Sequence, residues 1–238
     1  GIHLIDLNKT LSCLEEAQSV VKNIVRSGRK IMFVATKKQA QEIVSEEAAR
    51  LKMPFVTERW LGGMLTNFAT IKKSLKKLNN IERMLKDENT AGNMAKRELL
   101  TLERDRIKLE RLLGGITDLG KLPAALFVVD IKREHLAIAE AKRLGIPVIA
   151  MCDTNSNPES VEIAIPANDD AYKSVALVTL AIGKAIEEGM MERKTDKESE
   201  EMQKAEEAKR AVDKATAAAQ PAAAAVEEAP EAPASEEN

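Results

Sequence analysis

The chain is poor in the residues that carry most redox, metal and base-stacking chemistry. Its 238 residues include two cysteines, Cys13 and Cys152, and two histidines, His3 and His135. Neither cysteine has a second Cys or a His at metal-ligand spacing, so a disulfide framework and a zinc site are excluded, and a reduced, cytosolic compartment is expected. Aromatic residues make up 3% of the chain, namely Phe33, Phe55, Trp60, Phe68, Phe127 and Tyr172. They are too few and too scattered for a surface that reads bases by stacking. Nucleic acid bound here would be held mostly by its phosphates. The longest apolar runs, such as Leu122 to Val129 and Val175 to Ile182, fall well short of the roughly 20 residues that span a bilayer. No signal peptide precedes them, and no membrane partner is expected. The chain opens on Gly1 rather than methionine, so the N-terminus is expected to be incomplete.

Net charge is also low, at −2 from 36 Lys plus Arg and 38 Asp plus Glu. That total hides a partition. Residues 194–238 carry 12 acidic and 6 basic groups, so the tail stands at −6 and the rest of the chain at +4. Within that body, residues 72–121 hold 13 basic and 8 acidic groups, the largest positive share.

Strand and helix patterns alternate. Leu11, Leu14, Ala17, Val20, Val21, Ile24 and Val25 recur at helical spacing behind Thr10, a candidate cap, and end at Ser27-Gly28. Ile31 to Ala35 is a strand, followed by Thr36-Lys37-Lys38 and an amphipathic helix; Pro54 precedes a second short strand, Phe55 to Thr57. Beyond Arg59 to Phe68 the pattern changes. Ile71, Leu75, Leu78, Ile81 and Leu85 form a narrow seam, Asp87 to Asn93 a turn, and Leu99, Leu102, Leu109, Leu113 and Ile116 a second seam. Two seams around a turn predict an antiparallel, coiled-coil hairpin. Alternation then resumes with strands at 124–130, 146–151 and 161–165, a helix from Glu134 to Leu144, and a last helix through Ile186. Such alternation argues for a parallel five-stranded α/β sheet covered on both faces. By analogy with other open sheets its order is expected to be 2-1-3-4-5. The expected organisation is a sheet domain over 1–69 and 114–193, an inserted hairpin over 70–113, and an Ala/Glu-rich tail over 194–238, helical to Ala219 and disordered from Gln220.

Catalysis finds little support. The turn after the first strand has no glycine, so neither the dinucleotide fingerprint nor the nucleotide phosphate loop is present. Asp130 and Asp153 read best as strand-end carboxylates capping nearby amides. No serine lies in a nucleophile elbow, neither cysteine has an activating pattern, and His135 beside Glu134 makes no dyad because adjacent helical side chains diverge. No cofactor or metal is expected. An alternative remains open: an enzyme of this fold that handles a phosphorylated metabolite at Lys37, Lys38 and Asp130.

The basic groups say more. Lys72, Lys73, Lys76 and Lys77 crowd less than two turns of helix, with no acidic partner until Glu82, and Arg83 follows. Like charges at i and i+4 cost roughly 0.2–0.5 kcal/mol per pair. RNA phosphates would offset that repulsion, and a plainly solvated face is the competing reading. Lys37 and Lys38 at a helix start, and Arg59 in the glycine-containing passage, could each hold a phosphate.

Arg59-Trp60-Leu61-Gly62-Gly63-Met64-Leu65-Thr66-Asn67-Phe68, followed by Thr70-Ile71, closely resembles the signature of the bacterial small-subunit ribosomal protein two family. Further matches follow in order: Thr36 to Ala40, Gly114-Gly115-Ile116 with Leu122-Pro123, Asp130 to Glu134 with Ala137-Ile138 and Glu140-Ala141, Ile146-Pro147, Asp153-Thr154-Asn155 with Pro158, and Ile165 to Ala171. The resemblance covers Gly1 to Arg193. It implies a flavodoxin-like, three-layer α/β/α domain with an inserted helical hairpin and no enzymatic activity. It also implies a structural role in the small ribosomal subunit, in the cytoplasm. There the protein would bind small-subunit rRNA near the head and body junction and help anchor the messenger-binding ribosomal protein one beside other ribosomal proteins, without self-association. Family members begin about one strand and helix earlier, with a basic, aromatic-containing segment that is absent here, and the tail after Arg193 carries no family motif. The residues expected to meet RNA are Lys37, Lys38, Arg59, Lys72, Lys73, Lys76, Lys77 and Arg83.

Overall fold

A computed structural model describes residues 3–87 and 94–219. The helix α1 (Leu7–Arg26) starts earlier than Thr10 because Asp6 is its cap, accepting a hydrogen bond from the Asn8 amide at 3.0 Å. Such a cap contributes about 1 kcal/mol. Thr10 instead lies within the helix and donates to the Pro166 carbonyl at 2.5 Å, tying α1 to the last strand.

Five short strands follow the expected apolar runs: β1 (Ile31–Val34), β2 (Phe55–Val56), β3 (Ala125–Val129), β4 (Val148–Cys152) and β5 (Ile163–Pro166). All pair in parallel in the order β2-β1-β3-β4-β5. Phe33 is in register with Phe55 and Phe127, and Phe127 with Ile149. β1, β3 and β4 are buried throughout, which is why they read as unbroken apolar runs.

The pleat divides these strands between two cores. Ile31, Phe33, Phe127, Val129, Ile149, Met151 and Ile165 face α1, α2 (Lys38–Arg50) and the first turns of α6 (Tyr172–Ala219). Phe33 and Phe127 meet edge to face at 5.4 Å. Burying each of these rings contributes about 2–3 kcal/mol. Met32, Val34, Leu126, Val128, Val148 and Ala150 face the other way, onto α5 (His135–Arg143), the passage around Trp60 and the base of a helical pair.

That pair is α3 (Phe68–Lys86) and α4 (Lys96–Leu113), which pack on each other. Ile71 and Leu75 near the start of α3 share a core cluster with Leu113 at the end of α4, so the helices run antiparallel. Ile71, Leu75, Leu78 and Ile81 are buried, whereas on α4 only Leu113 is, and Ile107 lies exposed. Apart from Asp87, the turn expected between them lies outside the described residues. Gly115 closes the hairpin onto the sheet: a Cβ there would sit 2.3 Å from the Phe55 carbonyl oxygen, a contact that only glycine permits.

Residues 1–193 form one compact unit and residues 194–238 a second. In the first, Val175, Val178, Ile182, Ala185 and Ile186 of α6 are buried. In the second, the helix runs to Ala219, the residue to which the sequence extends the helical part of the tail, with Lys194 and Glu198 paired one turn apart at 3.9 Å. The disorder expected from Gln220 onward falls outside the described residues.

Candidate functional site

The glycine-containing passage from Arg59 to Asn67 is neither helix nor strand, so its amides need partners from elsewhere. Glu140 of α5 supplies them. Its Oε1 accepts the Gly63 amide at 2.7 Å and the Trp60 indole N–H at 3.1 Å; its Oε2 accepts the amides of Leu65 and Thr66 at 3.0 Å and the Thr66 hydroxyl at 3.1 Å. Burial pushes the Glu140 carboxyl up, but these donors outweigh it and hold the pKa below the ordinary glutamate value. Gly63 turns at φ +88°, a left-handed conformation that side chains rarely adopt. Trp60, Met64 and Leu65 are buried in the same core as the hairpin base. This one carboxylate therefore orients the passage from which α3 departs. Periodicity did not single out Glu140, because its partners lie 74 to 80 residues away.

At the carboxyl ends of the strands sits a second polar cluster. Lys37 follows β1, and its ammonium lies 2.5 Å from Asp170, 2.7 Å from Asp169 and 3.6 Å from Asp130. Burial would lower its pKa, but the bonds to Asp169 and Asp170 push it up to about 12. Asp169 is fully buried, and burial raises its pKa against the pull of Lys37. Asp130 and Asp153 do cap local amides, those of Arg133 at 3.0 Å and Thr154 at 2.6 Å. Asp130 does so with φ at +72°, a strained backbone for a residue with a Cβ.

Beside this cluster Glu134, 2% exposed, accepts both the amide and the hydroxyl of Thr36 through one oxygen, and Arg133 donates to the same hydroxyl at 2.8 Å. Burial pushes Glu134 upward in spite of these contacts. No side chain here is presented as a nucleophile, and burial together with Asp153 and Asp169 raises the Cys152 thiol as well.

The remaining cations line the outside. A rotation of about 100° per residue puts Lys72, Lys76 and Arg83 on one exposed stripe of α3, with Asn79 between them. Lys72 covers the Phe68 ring at 4.8 Å, and Lys77 crosses to Asp105 of α4 at 3.1 Å. Lys38, Arg59, Lys73, Lys76 and Arg83 are exposed and make no ion pair among the described residues. On α4 the structure sorts charges that look alike in sequence. Arg106 is held by Glu103 at 2.8 Å and Glu110 at 2.6 Å, whereas Arg104 and Lys108 line an open groove of about 610 Å³ with Arg59, Arg111, Ile107 and Leu112. Arg111 is tied across it to Glu58 at 2.7 Å. Arg104, Lys108 and Arg111 stand at i, i+4 and i+7, a helical stripe that the acidic residues between them obscure.

Of the eight residues expected to meet RNA, seven thus lie on exposed surface and Lys37 is turned into a cage of carboxylates. Among the described residues no helix is long and apolar enough to cross a membrane.

The family model described as Ribosomal protein S2 matches residues 1–189. A small ribosomal subunit protein uS2 from Cytophaga hutchinsonii is 62% identical over 90% of this chain and 84% of its own length. The uS2 proteins of Parabacteroides distasonis and Flavobacterium psychrophilum are 54% and 56% identical, over 90% and 84% of this chain and 76% and 75% of their own lengths. A match over most of the chain, with the Glu140-clasped signature passage and the parallel sheet behind it, places this protein in the ribosomal protein S2 family.

Proposed function

We propose that this protein holds small-subunit rRNA through the outer faces of its hairpin and of the passage beside it, using Lys38, Arg59, Lys72, Lys73, Lys76, Lys77 and Arg83. The coarser role follows from the family: the chain is a structural protein of the small ribosomal subunit, not an enzyme, and works in the cytoplasm where bacterial subunits assemble. The alternative of a phosphorylated metabolite at Lys37 and Asp130 falls with that membership; the ammonium it required is also spent on three carboxylates. For the same reason Lys37 is left out of the proposed surface.

The observation that carries the finer reading is that Lys73, Lys76 and Arg83 make no ion pair among the described residues, together with the Lys72 and Lys76 repulsion along α3. Phosphates would neutralise a stripe that has no acidic partner among the described residues. The hairpin is held rigidly at its base by Ile71, Leu75 and Leu113, as a charge-and-shape contact requires. We place that contact near the junction of head and body of the subunit and assign the body of the protein a part in anchoring ribosomal protein one; the family resemblance supports both.

Replacing Lys72, Lys73 and Lys76 together by glutamine tests the reading. Binding to small subunits or their RNA is expected to weaken, and the slope of log affinity against log salt to become shallower by roughly 2 to 3 units. An unchanged slope would remove this stripe from the interface.

A further inference from the structure

We propose that the groove between α4 and the Glu58-Arg59 segment is a docking site for an acidic, amphipathic helix of a protein partner. The groove has a volume of about 610 Å³ and an aliphatic floor of Ile107 and Leu112. Leu112 is half-buried against the core beneath, but Ile107 is 52% exposed, and Leu100, two turns earlier, is 54% exposed. At about 100° per residue, Leu100, Arg104, Ile107, Lys108 and Arg111 share one face of α4. That face lies opposite the seam of Leu99, Leu102, Leu109 and Leu113. The helix therefore carries a second apolar stripe, outside the packing of the hairpin itself.

Charge complementarity identifies the occupant. Arg59, Arg104, Lys108 and Arg111 surround the floor, and the single carboxylate among them, Glu58, is already tied to Arg111 at 2.7 Å. The nearest acids on α4, Glu103 and Glu110, are both bonded to Arg106, and Arg59, Arg104 and Lys108 make no ion pair among the described residues. A segment bearing carboxylates would pair with these three cations while its own apolar side chains covered Ile107 and Leu112. RNA satisfies only half of this chemistry. Its phosphates would take the cations and leave the aliphatic floor facing a charged backbone, and no aromatic ring lines the groove for a base to stack on. A small ligand would stay largely in water in a groove this open. Leu100 and Ile107 stand about 10 Å apart along α4, so the occupant is a helix lying beside it with apolar residues at i, i+3 or i+4, and i+7. Arg59 borders this groove as well as the surface proposed for RNA, whereas Ile107, Arg104 and Lys108 belong to the groove alone.

The probe is a fluorescein-labelled synthetic helix with leucine at i, i+3, i+4 and i+7 and glutamate at the flanking positions, titrated with the full chain and followed by anisotropy. Saturable one-to-one binding is expected, and a glutamate homopolymer of the same length is expected to bind at least about tenfold more weakly. Ile107→Ser, and Arg104→Glu combined with Lys108→Glu, are each expected to weaken the peptide at least about tenfold, the charge variant also flattening the salt dependence. Leu144→Ser, which removes an exposed leucine outside the groove, is the control and should change nothing. In intact small subunits, a photo-crosslinking p-benzoylphenylalanine in place of Ile107 is expected to join an acidic helical segment of a protein, identified by sequencing the crosslinked peptide. That readout decides the matter even if Ile107→Ser loses its fold. No saturable binding, equal binding of the homopolymer, unchanged affinity in folded variants, or a crosslink to rRNA, to a basic segment or to nothing would each overturn the proposal.

Discussion

The Trp60 indole N–H donates to Glu140 at 3.1 Å, joining two residues 80 positions apart. Through this bond and those from Gly63, Leu65 and Thr66, one side chain on α5 sets the conformation of the passage that launches the hairpin. Glu140→Gln keeps one acceptor oxygen but turns an NH₂ group toward N–H donors. The variant is expected to lose about 2 kcal/mol at neutral pH, measured by urea unfolding. Because the Glu140 pKa is lowered on folding, its contribution is present above the ordinary glutamate value and lost as pH falls through the folded value. The gap between variant and native protein should therefore close in acid, and a gap independent of pH would count against the clasp.

Glu134 has the opposite sign. Its pKa is raised by burial, so the stability it contributes is complete below the unfolded glutamate value and is lost as pH rises through the folded one. Glu134→Gln retains an acceptor for Thr36 without the charge. It is expected to match the native chain below about pH 4 and to exceed its stability at neutral pH. Parallel unfolding curves across that range would refute the assignment.

Gly115→Ala would drive a methyl to 2.3 Å from the Phe55 carbonyl oxygen. The hairpin base or β2 must then shift, at a cost of about 1–3 kcal/mol, the usual scale of overpacking. Gly120→Ala, where a Cβ meets nothing within 4 Å, is the control and should change the unfolding midpoint little.

Removing residues 194–238 takes away a segment of net charge −6 and leaves the compact unit of residues 1–193. Affinity for small subunits is expected to stay the same or rise slightly, as an acidic segment is lost from a chain proposed to bind the RNA polyanion. A large fall in a pelleting assay would assign the tail a direct contact.

The architecture was largely legible in the sequence because its signals are local. Ile31 to Val34, Ala125 to Val129 and Val148 to Cys152 are buried on both faces and therefore apolar at every position. The α3 seam repeats every three or four residues because one face packs. Helix ends were less legible: Asp6 and Thr10 can both cap, and the bond from Thr10 to Pro166, 156 residues away, is what settles their roles.

The sequence by itself determined the alternation of strands and helices, the hairpin and the family, since hydrophobic period and ordered motifs do not depend on knowing what each residue touches; the strand order β2-β1-β3-β4-β5 came only by analogy and was decided by the pairing in space. Only the tertiary structure decided which charges are spent and which are free. Lys37 and Lys38 are neighbours in the chain, yet one is enclosed by Asp130, Asp169 and Asp170 and the other lies exposed. Glu140 is likewise one more surface acid until five donors of a distant loop converge on it. Electrostatic partners are chosen by distance in space, and chain order carries almost none of that information.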